Sequence, residues 1–436
     1  MSTTRETIVY AFTQYVKSLR LLPSKSPMTW DVAKSQLRWD SYKTAKNRKS
    51  ILLWHFNYVL TAHVVYTTAI VYFILEQLYG WGPKRELLNV IFHTLLAVLN
   101  WYGCSMHVMT ALYGHDAVNG WNEILRIEAG LTKDGHQHRK TSNSSHHVNP
   151  ELITLLTIVA LFTGYPFFVI PAEMVLNLDC IYILVHAIGE KFDLLPGQVF
   201  VLHLIRFCIL TINGTEICLT FMFVILIFIS GLLLLREIFT NFLNRVKCPA
   251  GNANDLVESL TFTHIQVQLA IKSFACYQEL GVLALMTVGL LVFIFSNFAT
   301  VRFFGVVPFV VFVFFPSVSF LVALIVNFTL PLTHKQYEDS IELLRRSAGA
   351  LSPMGRGKYL RRKIRAVRPH RLSVGVNGKL DQNLSMQAKL KSAPIVFGGG
   401  VGCGAPIIFS GDGALNSAGV GSVWSAASTS ALHTFR

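Results

Sequence analysis

Two ionisable side chains interrupt the longest apolar block of the sequence, residues 199–235: Arg206 lies near one end and Glu216 near the middle. Charged groups are costly inside a bilayer, so they mark either polar contacts between helices or a ligand cavity or ion path. Ten residues of helix separate the two, which is ~15 Å along the axis. They therefore cannot pair with each other, and each requires its own partner or ligand.

Five histidines also lie in apolar blocks: His55, His63, His93, His107 and His203. A buried histidine more often has a hydrogen-bond partner within the protein than a role as a ligand. None stands four residues from another histidine or a carboxylate, the spacing typical of helical metal sites. The sequence therefore predicts no metal site and no cofactor.

One enzyme-like pattern is present: His334 precedes Asp339 in an H-x4-D arrangement that occurs in some membrane acyltransferases. No further motif completes such a site, and the sequence contains no nucleophile elbow and no HExxH. The Gly-rich run 398–404 lacks the strand and helix that flank a nucleotide-binding loop. The chain is therefore interpreted as a protein without enzymatic activity.

The composition indicates where these residues lie. Of the 436 residues, 52% are hydrophobic and 14% are charged, against roughly 25% charged in soluble domains. Six apolar blocks approach or exceed the ~20 residues that a bilayer requires. These blocks are 51–75, 87–113, 152–171, 199–235, 280–298 and 306–330. The predicted fold is all-α, a polytopic membrane helical bundle.

The basic residues predict the orientation of the bundle. With residues 1–50 inside, the inner segments 1–50, 112–150, 236–279 and 331–391 carry 32 Lys and Arg, against four in the outer loops. Such a bias is typical of cytoplasmic loops, and it explains the net charge of +14 without a nucleic-acid partner. We expect a multi-pass plasma-membrane protein with a cytoplasmic N-terminus and contacts with membrane lipids.

Helices 4 to 6 are predicted to extend beyond the bilayer. The fourth block has 37 residues, apolar residues recur at helical spacing through 254–279, and Glu342 and Arg346 form an i,i+4 pair after the sixth block. These extensions would build a cytoplasmic helical domain, which includes the basic helical segment 331–391. The Gly/Ser-rich tail 392–436 is a poor helix former, and a degenerate seventh span across 393–424 remains an open alternative.

This architecture resembles that of the arthropod gustatory and odorant receptors, seven-helix proteins with a cytoplasmic N-terminus. The segment 12–23, FTQYVKSLRLLP, is similar to the pre-membrane helix of the family. The segment 361–375, RRKIRAVRPHRLSVG, is similar to the family's entry into its last helix. The resemblance covers residues 1–376. Beyond it the chain lacks the TYxxxxxQF-like motif of the family's pore helix, so pore residues cannot be transferred.

The resemblance implies a chemosensory receptor: a ligand-gated cation channel subunit, in a homo- or hetero-tetramer, that opens on binding a small tastant or odorant. The ligand would bind in an outer cavity among helices 2 to 6 and favour the open state. Mostly aromatic side chains in the outer halves of these helices would line that cavity. The candidate residues are His93, Tyr165, Phe168, His203, Arg206, Phe312 and Phe315.

Two other classes of membrane protein are alternatives. A G-protein-coupled receptor would place the N-terminus outside, with its 10 basic residues on the wrong side of the membrane. A transporter usually has repeated halves with helices broken at matching positions, and neither feature is visible in the sequence.

Overall fold

The computed structural model describes residues 4–19, 24–40, 45–80, 86–135, 150–192, 195–247, 253–351 and 356–366. The tail 392–436, with its alternative seventh span, and residues 367–391 of the basic segment lie outside the described residues. In chain order the elements are α1 (Thr4–Leu19), β1 (Met28–Asp31), β2 (Gln36–Trp39), α2 (Ala45–Asn57), a π-helical segment (Tyr58–Tyr66), α3 (Thr67–Tyr79), α4 (Leu87–Gly135), α5 (Pro150–Leu176), α6 (Cys180–Phe192), α7 (Pro196–Lys247), α8 (Ala253–Arg302), α9 (Phe309–Gly349) and α10 (Arg356–Ala366).

Six helical stretches in the described part of the chain are long and apolar enough to cross a membrane. They are Arg48–Tyr79, Leu87–Leu131, Pro150–Gly189, Gly197–Val246, Asn254–Arg302 and Phe312–Gly349. Each contains most of one predicted apolar block, and the prediction of an all-α bundle with six membrane-length helices is confirmed. Large apolar side chains such as Val64, Phe200, Met286 and Phe320 are exposed on these stretches. Lipid would cover such a surface, which is unfavourable in water.

Four of the helices are far longer than a bilayer is thick. Helices α4, α7, α8 and α9 have 49, 52, 50 and 41 residues, so they span ~60–80 Å at ~1.5 Å per residue. The extension of α7, α8 and α9 was expected. The extension of α4 was not, because its second half carries enough polar residues to resemble a loop.

The parts of these helices that exceed the thickness of a bilayer pack together at one end of the bundle, here called the extended end. A Cβ added at Gly120 of α4 would lie 2.7 Å from the carbonyl oxygen of Ala270 in α8, so these two helices are in close contact. The Trp121 ring packs over Gly231 of α7, where an added Cβ would lie 3.0 Å from it. Arg245 of α7 donates to the carbonyl of Leu131 at 2.8 Å. The extended end is therefore a packed helical core.

The N-terminal segment folds back into this core. Helix α1 packs between α5 and α7, and the Phe12 ring stacks on Trp30 at 4.5 Å and meets the edge of Phe223 at 6.3 Å. The antiparallel hairpin β1–β2 lies beside α4, where the Asn122 side chain accepts from the amide of Leu37 and donates to its carbonyl. This hairpin was not predicted from the sequence.

Helix α7 changes its environment along its length. Near its start, Phe200, Leu204 and Phe207 are exposed. From Met222 to Phe242 most of its side chains are buried by neighbouring helices. The most apolar part of the sequence therefore forms the centre of the protein core, and only the first part of α7 presents an apolar face outward.

Candidate functional site

A narrow cavity of about 30 Å³ lies between the N-terminal segment, α2, α4, α7 and α8. Glu216 of α7 faces it, and its side chain is buried. Ser24 donates to the Glu216 carboxylate at 2.5 Å, and Trp54 of α2 forms a second hydrogen bond to it. We call this the Glu216 cavity. Its carboxylate is held by two elements that lie far from α7 in sequence.

Hydroxyl groups surround the carboxylate. The Tyr58 hydroxyl donates to the carbonyl of Glu216 at 3.3 Å and lies 2.7 Å from the Thr220 hydroxyl. Tyr15 of α1 also lines the cavity. Burial raises the pKa of the Tyr15 hydroxyl well above its usual value, and the nearby Glu216 adds to the shift. Tyr15 is therefore a neutral hydroxyl at the cavity wall.

One wall of the cavity continues into a row of three histidines. His55 Nδ1 lies 3.0 Å from His107 Nε2, and His63 Nε2 lies 3.2 Å from His107 Nδ1. The Tyr58 ring stacks on His107 with 4.8 Å between centroids. The π-helical segment has a wider turn than an α-helix, and it carries His63 on the same side as His55, toward α4. We call this the histidine row.

The histidine row has the geometry of a hydrogen-bond relay. A neutral imidazole donates from one nitrogen and accepts at the other, so three rings in line can hold one consistent pattern of donors and acceptors. Both nitrogens of His107 face a neighbouring histidine. The rings therefore do not converge on one point, and no group of three or more metal-ligating side chains occurs among the described residues.

A second polar cluster lies near the beginning of α7. Arg206 Nε donates to both carboxylate oxygens of Asp179, at 3.2 and 2.9 Å, and its Nη2 donates to Oδ2. Its Nη1 donates to Asn177 at 3.1 Å, and the guanidinium lies 4.9 Å from the Tyr182 ring centroid. Both charged side chains are fully buried, so this is a desolvated, hydrogen-bonded ion pair.

Local sequence explains how Asp179 reaches this position. Asn177 has a φ of 53°, in the left-handed region that Asn adopts more readily than most residues. The turn ends α5, and Asp179 then caps α6 by accepting from the amide of Tyr182 at 2.9 Å. The cap fixes the carboxylate in front of Arg206.

The structure places the predicted ligand-binding residues in several separate groups. His203 lies beside Arg206, with 3.4 Å between His203 Nδ1 and Arg206 Nη1. His93 is buried and stacks on Phe73 at 4.5 Å. Phe168 is 69% exposed, toward the surface that lipid would cover.

The remaining aromatic candidates belong to the contact between α9 and its neighbours. The Tyr165 hydroxyl donates to Ser317 at 3.4 Å. Phe315 is fully buried against Phe92, and Phe312 meets Phe304 at 5.6 Å. None of the seven candidates lines the Glu216 cavity, and their role in ligand binding stays a prediction.

Glu216, Arg206 and the histidines are identifiable in the sequence, but their partners are not. Asp179 could have been recognised as a helix cap, because Asn-Leu-Asp precedes an apolar helical run. Ser24 and Tyr58 carry no comparable signal in the sequence. No protein-family model matches the chain, and no significant match was found among curated proteins.

Proposed function

We propose that the chain is a chemosensory receptor, a ligand-gated cation channel subunit that responds to small tastant or odorant molecules in the plasma membrane. The observation that carries the proposal is the set of four helices of 41 to 52 residues, each longer than a bilayer is thick, that pack into one hydrophobic core. The family that the sequence resembles shares this plan, with a helical domain on the cytoplasmic side.

The contacts of the N-terminal segment support a cytoplasmic N-terminus. Arg5 lies 3.4 Å from Glu128 of α4, and Thr4 donates to Glu237 of α7 at 3.2 Å. Helix α1 therefore lies at the same end as the helix extensions. The segments at this end also carry most of the basic residues, which favours the cytoplasm for all of them.

Long helices of the bundle connect the predicted ligand residues to the extended end. A ligand shifts the channel toward the open state only if it binds that state more tightly. The predicted ligand residues belong to α4, α5, α7 and α9, and three of these helices run without interruption into the extended end. A change in their packing at one end would therefore alter the core at the other. Four subunits would surround the ion path.

Electrophysiology tests the channel proposal. Cells that express the full chain, alone and with related subunits, should show cation currents when a panel of small tastants and odorants is applied. His203→Ala and Phe315→Ala should each change the concentration for half-maximal current. The matched control is Phe200→Ala, at a side chain that is 70% exposed, and it should leave that concentration unchanged. Equal responses in mock-transfected cells, or no current with confirmed surface expression, would contradict the proposal.

Epitope tags test the orientation and separate a G-protein-coupled receptor from a channel. An N-terminal tag should bind antibody only after permeabilisation. A tag that is accessible on intact cells would favour the G-protein-coupled alternative.

A membrane transporter is the second candidate, and the polar groups within the spans favour it. Ionisable side chains at membrane depth mark substrate and proton paths in pumps and transporters, and the Glu216 cavity adjoins the histidine row. Saturable uptake of a panel compound without an accompanying channel current would support a transporter over a channel.

A further inference from the structure

The charge of Glu216 has no cationic side chain opposite it in the cavity. Among the described residues that line the cavity, Glu216 is the only carboxylate, and none is Lys or Arg. His107 also lines it, but each of its ring nitrogens faces another histidine. The side chain is 6% exposed. A buried carboxylate is strongly unfavourable unless it is paired or neutralised. Asp179 is paired with Arg206, whereas no Lys or Arg in the cavity wall is paired with Glu216.

Most of the polar side chains in the cavity wall present oxygen atoms, beside several apolar ones. Besides the carboxylate, six hydroxyl groups line the cavity, and they come from the N-terminal segment, α4, α7 and α8. These residues are Tyr15, Ser24, Ser26, Thr110, Thr220 and Tyr277. Hard cations such as sodium, calcium and magnesium prefer oxygen ligands, whereas soft metals prefer sulfur. The wall therefore suits a hard cation.

Charge and size select among the hard cations. One carboxylate balances one positive charge, so a divalent ion would leave a net charge buried in the core. A volume of about 30 Å³ holds about two water molecules, so an organic ammonium ion with several carbon atoms does not fit. Magnesium also retains several of its waters, which require more room. We propose that the Glu216 cavity binds a single sodium ion, with the Glu216 carboxylate as the charged ligand.

Sodium would join parts of the chain that are distant in sequence. Ser24 already donates to the carboxylate that would bind the ion, and Thr220 lies one helical turn beyond Glu216 on α7. The oxygens of Thr110 and Tyr277 come from α4 and α8 and are hydrogen-bonded to each other. An ion at their centre would hold the N-terminal segment against the bundle. The site does not depend on the identity of the receptor ligand.

Thermal unfolding of the full-length protein in detergent tests the site. The unfolding temperature is measured in sodium chloride, potassium chloride and N-methylglucamine chloride at one ionic strength and one pH. A ligand that binds only the folded state raises the unfolding temperature in a saturable way. We expect such a rise with sodium, a smaller one with potassium and none with N-methylglucamine.

Substitutions test whether the effect of sodium on the unfolding temperature arises at the Glu216 cavity. Glu216→Gln keeps the shape of the side chain and should abolish the sodium-dependent rise. Ser24→Ala removes the hydrogen bond that orients the carboxylate and should weaken the apparent sodium affinity about tenfold. Glu237→Gln changes a carboxylate on the same helix outside the cavity and should leave the sodium response intact.

A direct measurement of sodium binding tests the proposal even if Glu216→Gln does not fold. Wild-type protein should bind radioactive sodium that excess unlabelled sodium displaces, and Ser24→Ala should show the weaker displacement. Equal unfolding temperatures in all three salts would overturn the proposal, as would no displaceable sodium binding or an undiminished sodium effect in Glu216→Gln. Stability that varies with pH but not with sodium would show that a proton neutralises Glu216 instead.

Discussion

The ion pair between Arg206 and Asp179 allows a prediction of how substitutions change the free energy of unfolding. The side chains are 1% and 0% exposed, so neither charge has water to solvate it if its partner is removed. Arg206→Met retains the apolar stem of the side chain and removes only the charge and the hydrogen bonds. Asp179→Asn retains an oxygen that can cap α6 and removes the negative charge. The two substitutions therefore isolate the charges from the packing and the cap.

The expected magnitudes follow from desolvation. Arg206→Met leaves a buried carboxylate without its counter-charge, and we expect it to lower the free energy of unfolding by about 3–5 kcal/mol. Adding Asp179→Asn to it removes the uncompensated charge. The double variant should therefore be more stable than Arg206→Met alone by about 2 kcal/mol, because it no longer buries an unpaired charge. A second substitution that restores stability is the signature of a paired charge.

The assay is SDS-titrated unfolding in detergent micelles, followed by tryptophan fluorescence, on the wild type, both single variants and the double variant. Arg126→Met is the matched control, because Arg126 pairs with Glu123 at the surface and is 72% exposed. It should change the free energy of unfolding by less than about 1 kcal/mol. A loss in Arg206→Met as small as in this control would refute the paired charge, as would a double variant whose loss equals the sum of the two single losses.

Three further predictions concern the packing of the bundle. Gly120→Ala should destabilise the α4–α8 contact by about 1–3 kcal/mol through overpacking. Gly130→Ala should instead stabilise α4 by about 0.5–1 kcal/mol, because an added Cβ there meets nothing within 4 Å. Similar effects of both substitutions on the unfolding temperature would contradict the close approach of α4 and α8. Asn122→Ala should remove both hydrogen bonds to Leu37 and increase proteolysis of the hairpin, and an unchanged cleavage rate would count against its docking on α4. His107→Phe should keep the ring stacking and remove both hydrogen bonds of the histidine row. We expect it to destabilise the protein by about 1–3 kcal/mol in SDS-titrated unfolding. A change below about 0.5 kcal/mol would show that these hydrogen bonds do not stabilise the histidine row.

The sequence determined the parts of the fold that depend on local composition. A helix of membrane length requires a long apolar stretch, and hydropathy averages over neighbouring residues, so all six stretches could be found without a structure. Helix α4 was underestimated because its second half, around Trp121, is buried by other helices rather than by lipid and carries polar residues between its apolar ones. The hairpin was missed because two strands of four residues have little periodicity, and their docking depends on Asn122, far along the chain.

Tertiary structure alone decided the partners of the polar residues. Glu216 and Arg206 were identifiable because a charge within an apolar block is visible in the sequence. Their partners Ser24 and Asp179 lie 192 and 27 residues away, and hydropathy and helical periodicity carry no information over such distances. Which side chain meets a buried charge depends on how helices pack and turn, and the low dielectric of the interior makes that choice energetically decisive.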